Sequence, residues 1–115
     1  MPHNGNPYNK AHELADAIKA SEMFTNYLAA KQQLEEKPEL KEKIINLRQR
    51  QMEMNRRQML GEEIKPEEVQ EISLEYAKTN QIKGLGEFLK AEGVFIQMFN
   101  DIQEIIQKAI ESEFR

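Results

Sequence analysis

One histidine and one carboxylate stand at a spacing that could do chemistry. His12 precedes Asp16 by four residues, so the two side chains share a face if this segment is helical. A carboxylate beside an imidazole could orient a general base, or it could supply half of a metal site. We favour the alternative of an exposed histidine beside an ordinary helical neighbour, because the chain has no HExxH motif.

The other residue patterns offer no credible reaction. The chain has no cysteine, which excludes disulfides, thiolate nucleophiles and cysteine-held zinc or iron–sulfur centres. Gly84-Leu85-Gly86 lacks the preceding strand and the Gly-Lys-Ser/Thr of a phosphate loop, so we interpret it as a junction between helices. We therefore predict no catalytic residue, no cofactor site and no metal site, and we expect a protein that is not an enzyme.

Composition places the chain among small, highly charged helical proteins. It has 115 residues, the length of one domain, with 31% charged residues, a net charge of -4 and a mean hydropathy of -0.76. The longest uncharged apolar stretch, 93–100, is far shorter than the roughly 20 residues of a membrane helix. The first residues lack the basic and apolar regions of a signal peptide, so we expect a cytoplasmic protein.

Helix start signals divide the chain into five helical segments. Asn6-Pro7 predicts a helix over about 7–19. The helical spacing of the apolar residues restarts out of phase at Ser21, which predicts a second helix over 22–36. A single kinked helix is the alternative. Pro38 and Pro66, each followed by acids, predict two further helix starts. The predicted long helices are 38–60, ending before Gly61, and 87–113; a shorter helix runs from Pro66 to about Asn80.

These segments predict an all-α fold without strands, an antiparallel bundle of about five helices. We expect residues 1–6 to form a flexible tip and 7–113 to form a single helical domain. Gly84 and Gly86 are interpreted as a loose junction, and Gly93 as a point where another backbone could approach closely.

Apolar residues on the two long helices predict self-association. Helix 38–60 carries two seven-residue series, Leu40-Leu47-Met54 and Ile45-Met52-Met59, which indicate contacts with more than one neighbour. Such broad faces in so small a chain favour a dimer or higher oligomer. The candidate oligomer interface consists of Ile45, Met52, Met59, Phe95, Phe99, Ile102 and Ile106.

Charge is sorted along the chain. Segment 38–60 has six basic residues against three glutamates, a local charge of +3, whereas segment 62–75 has six glutamates against one lysine, a local charge of -5. The basic segment could be an RNA-binding face, but it has no aromatic residue for base stacking. We favour ion pairing with the acidic segments within or between chains, with Arg48, Arg56 and Arg57 as a candidate partner surface.

The order of these motifs resembles a known family. The matching features are residues 6–21 (Asn-Pro-Tyr-Asn-Lys-Ala-His-Glu-Leu-Ala-Asp-Ala-Ile-Lys-Ala-Ser), Lys37-Pro38-Glu39, Gln58-Met59-Leu60-Gly61 and the stretch 89–110. Over about residues 6–112 the chain is similar to the YlbF/YmcA family of small helical bacterial proteins, and especially to its short YheA-like members.

This resemblance implies an all-helical, oligomerising, non-enzymatic protein of the bacterial cytoplasm. Better-known relatives act in complexes that modulate the endoribonuclease RNase Y, and so influence competence, sporulation and biofilm formation. Some of them carry cysteines connected with an iron–sulfur complex, which this chain lacks. The expected partners are therefore a second copy of the chain and RNase Y-associated proteins or family relatives, and neither a membrane nor a nucleic acid. The resemblance transfers no functional residue.

Overall fold

The computed structural model describes residues 6–114, which form five α-helices and one short 3-10 helix and contain no strand. The all-α prediction is therefore confirmed. Residues 1–5 of the predicted tip lie outside the described residues. The helices are α1 (Pro7–Ala20), α2 (Glu22–Glu35), α3 (Pro38–Met59), α4 (Pro66–Asn80) and α5 (Leu85–Glu111), followed by the 3-10 helix Ser112–Phe114.

The first two helices are separate, as the phase jump predicts. Asn6 caps α1, because its Oδ1 accepts hydrogen bonds from the backbone N–H of Tyr8 at 2.9 Å and of Asn9 at 3.3 Å. Ser21 has extended backbone angles, and its Oγ accepts a hydrogen bond from the N–H of Phe24 at 3.2 Å. One serine thus ends α1 and caps α2, which rules out the single kinked helix.

A Schellman motif ends α3. Gly61 has a φ of +82°, its N–H donates to the carbonyl of Gln58, and the N–H of Glu62 donates to the carbonyl of Arg57. The residues that usually make an apolar contact across this motif are here Arg57 and Glu62, which form an ion pair at 3.0 Å. The turn between α3 and α4 is therefore held by backbone hydrogen bonds and by a charged pair.

The glycines near α5 differ from their predicted roles. The helix begins at Leu85 and ends at Glu111, two residues earlier at each end than predicted. Gly86 lies inside it, where an added Cβ would overlap the carbonyl oxygen of Asn80, so the loose junction is wrong at this residue. Gly93 has open space around the position of a Cβ, so no other part of the described chain approaches it closely, and an approach by another backbone there stays a prediction.

Contacts within the chain group it into two compact units. The first contains α1, the beginning of α2 to Ala29 and α5 from Ala91 onward; the second runs from Ala30 to Lys90. A single domain over 7–113 remains a prediction. Every buried residue among those described belongs to the second unit. Its interior consists of Leu34, Ile44, Leu47, Met54, Ile72, Thr79, Leu85 and Phe88.

The first unit holds together through aromatic contacts. The ring of Phe95 on α5 lies 5.2 Å from Phe24 and 5.3 Å from Tyr27, and it stacks nearly parallel to Tyr27. Phe99 follows one turn later, 6.4 Å from Phe95. None of the side chains described at 6–29 and 91–113 is buried. This unit therefore has apolar contacts but no closed interior.

Candidate functional site

The outward side of α3 carries a line of exposed apolar residues, which we call the α3 ridge: Ile45, Met52, Met59 and Leu60. The exposed fraction rises from 41% at Ile45 to 68% at Met52 and 88% at Met59, and it is 65% at Leu60. The seven-residue spacing places Ile45, Met52 and Met59 on one side of the helix. The parallel series that includes Leu47 and Met54 is buried and faces the interior of the second unit. The sequence predicts both series, and the structure decides which one is the core.

A second apolar line runs along α5, with Phe95 and Ile102 half-buried and the others exposed. We call it the α5 stripe: Phe95, Phe99, Ile102, Ile105, Ile106 and Ile110. The residues recur at spacings of three and four, which keeps them on one helical face. Ile105 is 69% exposed, and Phe99, Ile106 and Ile110 are about half exposed. All seven predicted interface residues thus lie on the ridge or the stripe. Their role in self-association remains a prediction.

The basic residues of α3 face acids on α4. Arg50 pairs with Glu71 at 3.3 Å and Arg57 pairs with Glu68 at 3.1 Å, which shows that the two helices run antiparallel. Of the two interpretations of the sorted charge, ion pairing within the chain is therefore confirmed for these arginines. Lys43, Arg50 and Arg57 recur every seven residues, opposite the acids Glu75, Glu71 and Glu68. The seven-residue spacing of these basic residues is the signal in the sequence that predicts such pairing.

Arg57 joins three segments of the hairpin. Its Nε donates to Glu62 at 3.0 Å and its NH1 donates to Glu68 at 3.1 Å, so one guanidinium connects α3, the turn and α4. These hydrogen bonds, first to Glu62 and then to Glu68, raise the pKa of Arg57 above its ordinary value. Its side chain is only 30% exposed. Arg57 therefore stabilises the turn between α3 and α4. The sequence predicts that it lies on an open partner surface.

The three arginines of the predicted partner surface have different surroundings. Arg48 lies over the ring of Phe88, with its guanidinium carbon 5.6 Å from the ring centre. Arg56 donates from Nε to Glu53 at 3.0 Å within α3, and this hydrogen bond lowers the pKa of Glu53. The side chain of Arg56 is 57% exposed, whereas that of Arg57 is 30% exposed. The structure therefore does not bring Arg48, Arg56 and Arg57 into one cluster.

The groove between α3 and α4 is an open cleft of mixed charge. Its larger part has a volume of about 670 Å³ and its smaller part about 480 Å³, and Asn46 and Arg50 line both. The arginines that line the larger part, Arg50 and Arg57, are paired with glutamates of α4. The groove is thus a ladder of ion pairs between two helices, and we assign no reaction to it.

His12 and Asp16 both lie exposed on α1. Over the described residues, no three His, Asp or Glu side chains are grouped closely enough to hold a metal ion. None of the described helices is long and apolar enough to cross a membrane.

Comparison with known proteins places this arrangement in a family. A family model described as "Control of competence regulator ComK, YlbF/YmcA" matches residues 8–111. A UPF0342 protein of Caldicellulosiruptor bescii is 32% identical over 92% of this chain and 89% of its own length. The UPF0342 protein YheA of Bacillus subtilis is 28% identical over 92% of this chain and 91% of its own.

A solved structure shows the same fold. A protein of unknown function (DUF964) from Bacillus stearothermophilus superposes with a TM-score of 0.80 at 25% identity, covering 94% of this chain and 95% of its own. Its similarity fits the predicted helical bundle. The names of these relatives describe no reaction, and the family description is that of a regulator. The chain therefore belongs to the YlbF/YmcA family, among its YheA-like members.

Proposed function

We propose that this protein is a non-enzymatic regulator of the bacterial cytoplasm that acts by associating with itself and with other proteins. The observation that carries the proposal is the pair of exposed apolar lines, the α3 ridge and the α5 stripe. Met52, Met59 and Ile105 are each more than two-thirds exposed although they are large and apolar. Large apolar side chains that are exposed along one helical face are typical of protein-binding surfaces.

The proposed pathway is the one in which better-known relatives act, the control of competence through RNase Y-associated complexes. The family description, which names the competence regulator ComK, supports a regulatory role. The RNase Y connection is an inference from the family resemblance. Under this proposal the chain binds a protein of that pathway, or a family relative, through surface helices.

Affinity capture tests the pathway directly. The tagged full-length protein is captured from its native cytosol at low salt, with and without nuclease, and bound proteins are identified by mass spectrometry. We expect RNase Y-associated proteins or family relatives that survive nuclease treatment. Recovery of untagged copies of the chain alone would remove the RNase Y role and leave self-association.

A charge reversal on α3 tests the partner surface. Arg56→Glu is the appropriate variant, because the Arg56 side chain is more than half exposed and its pair with Glu53 lies within one helix. Lys108→Glu is the matched control, because the Lys108 side chain is also more than half exposed, on α5, and also pairs within its helix, with Glu104. We expect Arg56→Glu to weaken capture and Lys108→Glu to leave it unchanged, with equal helix content by circular dichroism. Equal capture by both variants would overturn the surface assignment.

A further inference from the structure

We propose that the smaller part of the groove between α3 and α4 binds a small organic phosphate. This cavity has a volume of about 480 Å³, within the range of small-molecule sites. All of the residues that line it lie in the second unit, so the site is complete in one copy of the chain. Sequence patterns do not indicate the site, because its residues come from two different helices. The inference goes beyond the proposed function and does not depend on whether the chain associates with itself.

The cavity contains two lysines that the fold leaves without an ion pair. It is lined by Lys43 and Arg50 of α3 and by Glu75 and Lys78 of α4. Arg50 is paired with Glu71, whereas neither lysine forms an ion pair within the described part of the chain. Once the arginine pair is set aside, two lysines against one glutamate leave a local charge of +1. A cleft with this charge favours an anionic ligand.

A buried hydroxyl opens into the same cavity. Thr79 is the one buried polar residue among those described, with 6% of its surface exposed, and it lines the cavity. Its hydroxyl makes no hydrogen bond within the described part of the chain. Because no enclosed side-chain oxygen of the described residues lacks a partner, this hydroxyl is open to the cavity and not sealed in the interior. A buried hydroxyl without a partner is unfavourable, and a hydrogen bond to a ligand would remove this cost.

The lysine of α4 by itself would not indicate a ligand. Lys78 lies in the last turn of α4, where a cation offsets the partial negative charge of the helix end. Lys43 has no such explanation, because it lies in the first half of α3, and neither does the uncharged hydroxyl of Thr79. The larger part of the groove has no comparable groups, because both of its arginines are paired with glutamates of α4.

The donors of the cavity fit a phosphate better than a carboxylate. Carboxylates are bound most specifically by the planar fork of an arginine, and the arginine that lines this cavity is already paired with Glu71. Lysine ammonium groups are point charges with three donors each, which suits the three acceptor oxygens of a phosphate monoester. Leu47 and Ile82 supply apolar surface for a carbon skeleton. No aromatic side chain is among the residues that line the cavity, so a nucleotide base would have no stacking partner there.

An NMR titration of the full-length chain with glycerol 3-phosphate tests the site. Backbone amide shifts in an isotope-labelled sample locate the binding residues and give the Kd even when binding is weak. We expect saturable shifts in segments 43–50 and 75–82, which contain the lining residues of the two helices. Inorganic phosphate and glycerol are the comparison probes. Both should bind more weakly, because each lacks one half of the ligand.

Substitutions of the lining residues test their roles. Lys43→Gln and Lys78→Gln should each raise the Kd about tenfold or more, because each removes a charged hydrogen-bond donor. Thr79→Val should raise the Kd about threefold without lowering stability, because the hydroxyl has no partner in the free chain. Lys83→Gln is the matched control, because Lys83 is exposed in the same unit and does not line the cavity. It should bind the ligand as the wild type does, with equal helix content by circular dichroism.

Three results would overturn the proposal. The first is an absence of saturable shifts in these segments at millimolar glycerol 3-phosphate. The second is an equal loss of affinity in Lys43→Gln, Lys78→Gln and Lys83→Gln, which would indicate a general effect of net charge. The third is equal binding of inorganic phosphate, which would show that the cavity does not recognise the organic part. If Thr79→Val proves unstable, the two lysine variants and their control still decide the outcome.

Discussion

The same substitution at two positions of α5 should have opposite effects on stability. Gly86 and Gly93 both lie inside the helix, and both are replaced by alanine. An alanine Cβ at position 86 would overlap the carbonyl oxygen of Asn80 and lie 3.2 Å from its carbonyl carbon. Because these are backbone atoms, a side-chain rotation cannot relieve the overlap. At position 93 a Cβ meets nothing within 4 Å.

The expected magnitudes follow from these surroundings. Overpacking of this kind costs about 1–3 kcal/mol, so Gly86→Ala should lower the free energy of unfolding by that amount. Gly93→Ala should raise it by about 0.5–1 kcal/mol, because alanine restricts the unfolded chain and favours the helix. Gly93 also lies on the face of α5 opposite the α5 stripe, so the substitution leaves the proposed interface intact.

Thermal and urea unfolding, followed by far-ultraviolet circular dichroism, measure both effects. About 4 °C of melting temperature corresponds to 1 kcal/mol in a chain of this length, so the two variants should differ by several degrees. Protein concentration is kept fixed, because association shifts the melting temperature. An unchanged or higher stability of Gly86→Ala would show that α4 and α5 do not approach closely at this point. A destabilised Gly93→Ala would show that this face of α5 is covered.

Further predictions concern the interior, the acids and the basic helix. Leu85→Ala should lower the free energy of unfolding by about 2–5 kcal/mol in urea titrations, because Leu85 is completely buried; a loss under 1 kcal/mol would contradict the assigned interior. Because the pKa of Glu53 is lowered in the folded chain, its pair with Arg56 stabilises the fold near neutral pH, and this stabilisation is lost as the pH falls below about 4.5. Arg56→Gln should therefore slightly reduce the dependence of the free energy of unfolding on pH in the acid range. An unchanged pH dependence would count against the pair. Filter binding at low salt should retain no RNA, since Arg50 and Arg57 are paired with glutamates, whereas retention that falls steeply with salt would revive the RNA-binding alternative.

Helix starts were predictable because their causes are local. Asn6, Ser21, Pro38 and Pro66 act through hydrogen bonds and backbone angles within a few residues, and each begins or separates helices where the sequence predicts it. The role of Gly86 was not predictable in this way, because it depends on where the last turn of α4 places the carbonyl of Asn80. Local patterns therefore located the helices but did not predict the close approach of Gly86 on α5 to Asn80 at the end of α4.

The candidate surfaces were predictable in part for a related reason. Periodicity indicates that Leu47 and Met54 share one side of α3, but burial alone shows that this side is the interior. Arg57 looks like its neighbour Arg56 in the sequence, because both end a basic segment. Its different role comes from Glu62 and Glu68, which only the turn brings within hydrogen-bonding distance.

Helix α3 carries three series of residues spaced seven apart, which we call tracks, and each faces a different environment. One apolar track packs into the interior of the second unit, and one basic track faces the acids of α4. The third track, which ends in the most exposed methionine, contributes little to that packing. An exposed apolar track is unfavourable in water unless a partner covers it. The third track is therefore the part of α3 that the proposed association would cover. The three tracks are Leu40-Leu47-Met54, Lys43-Arg50-Arg57 and Ile45-Met52-Met59.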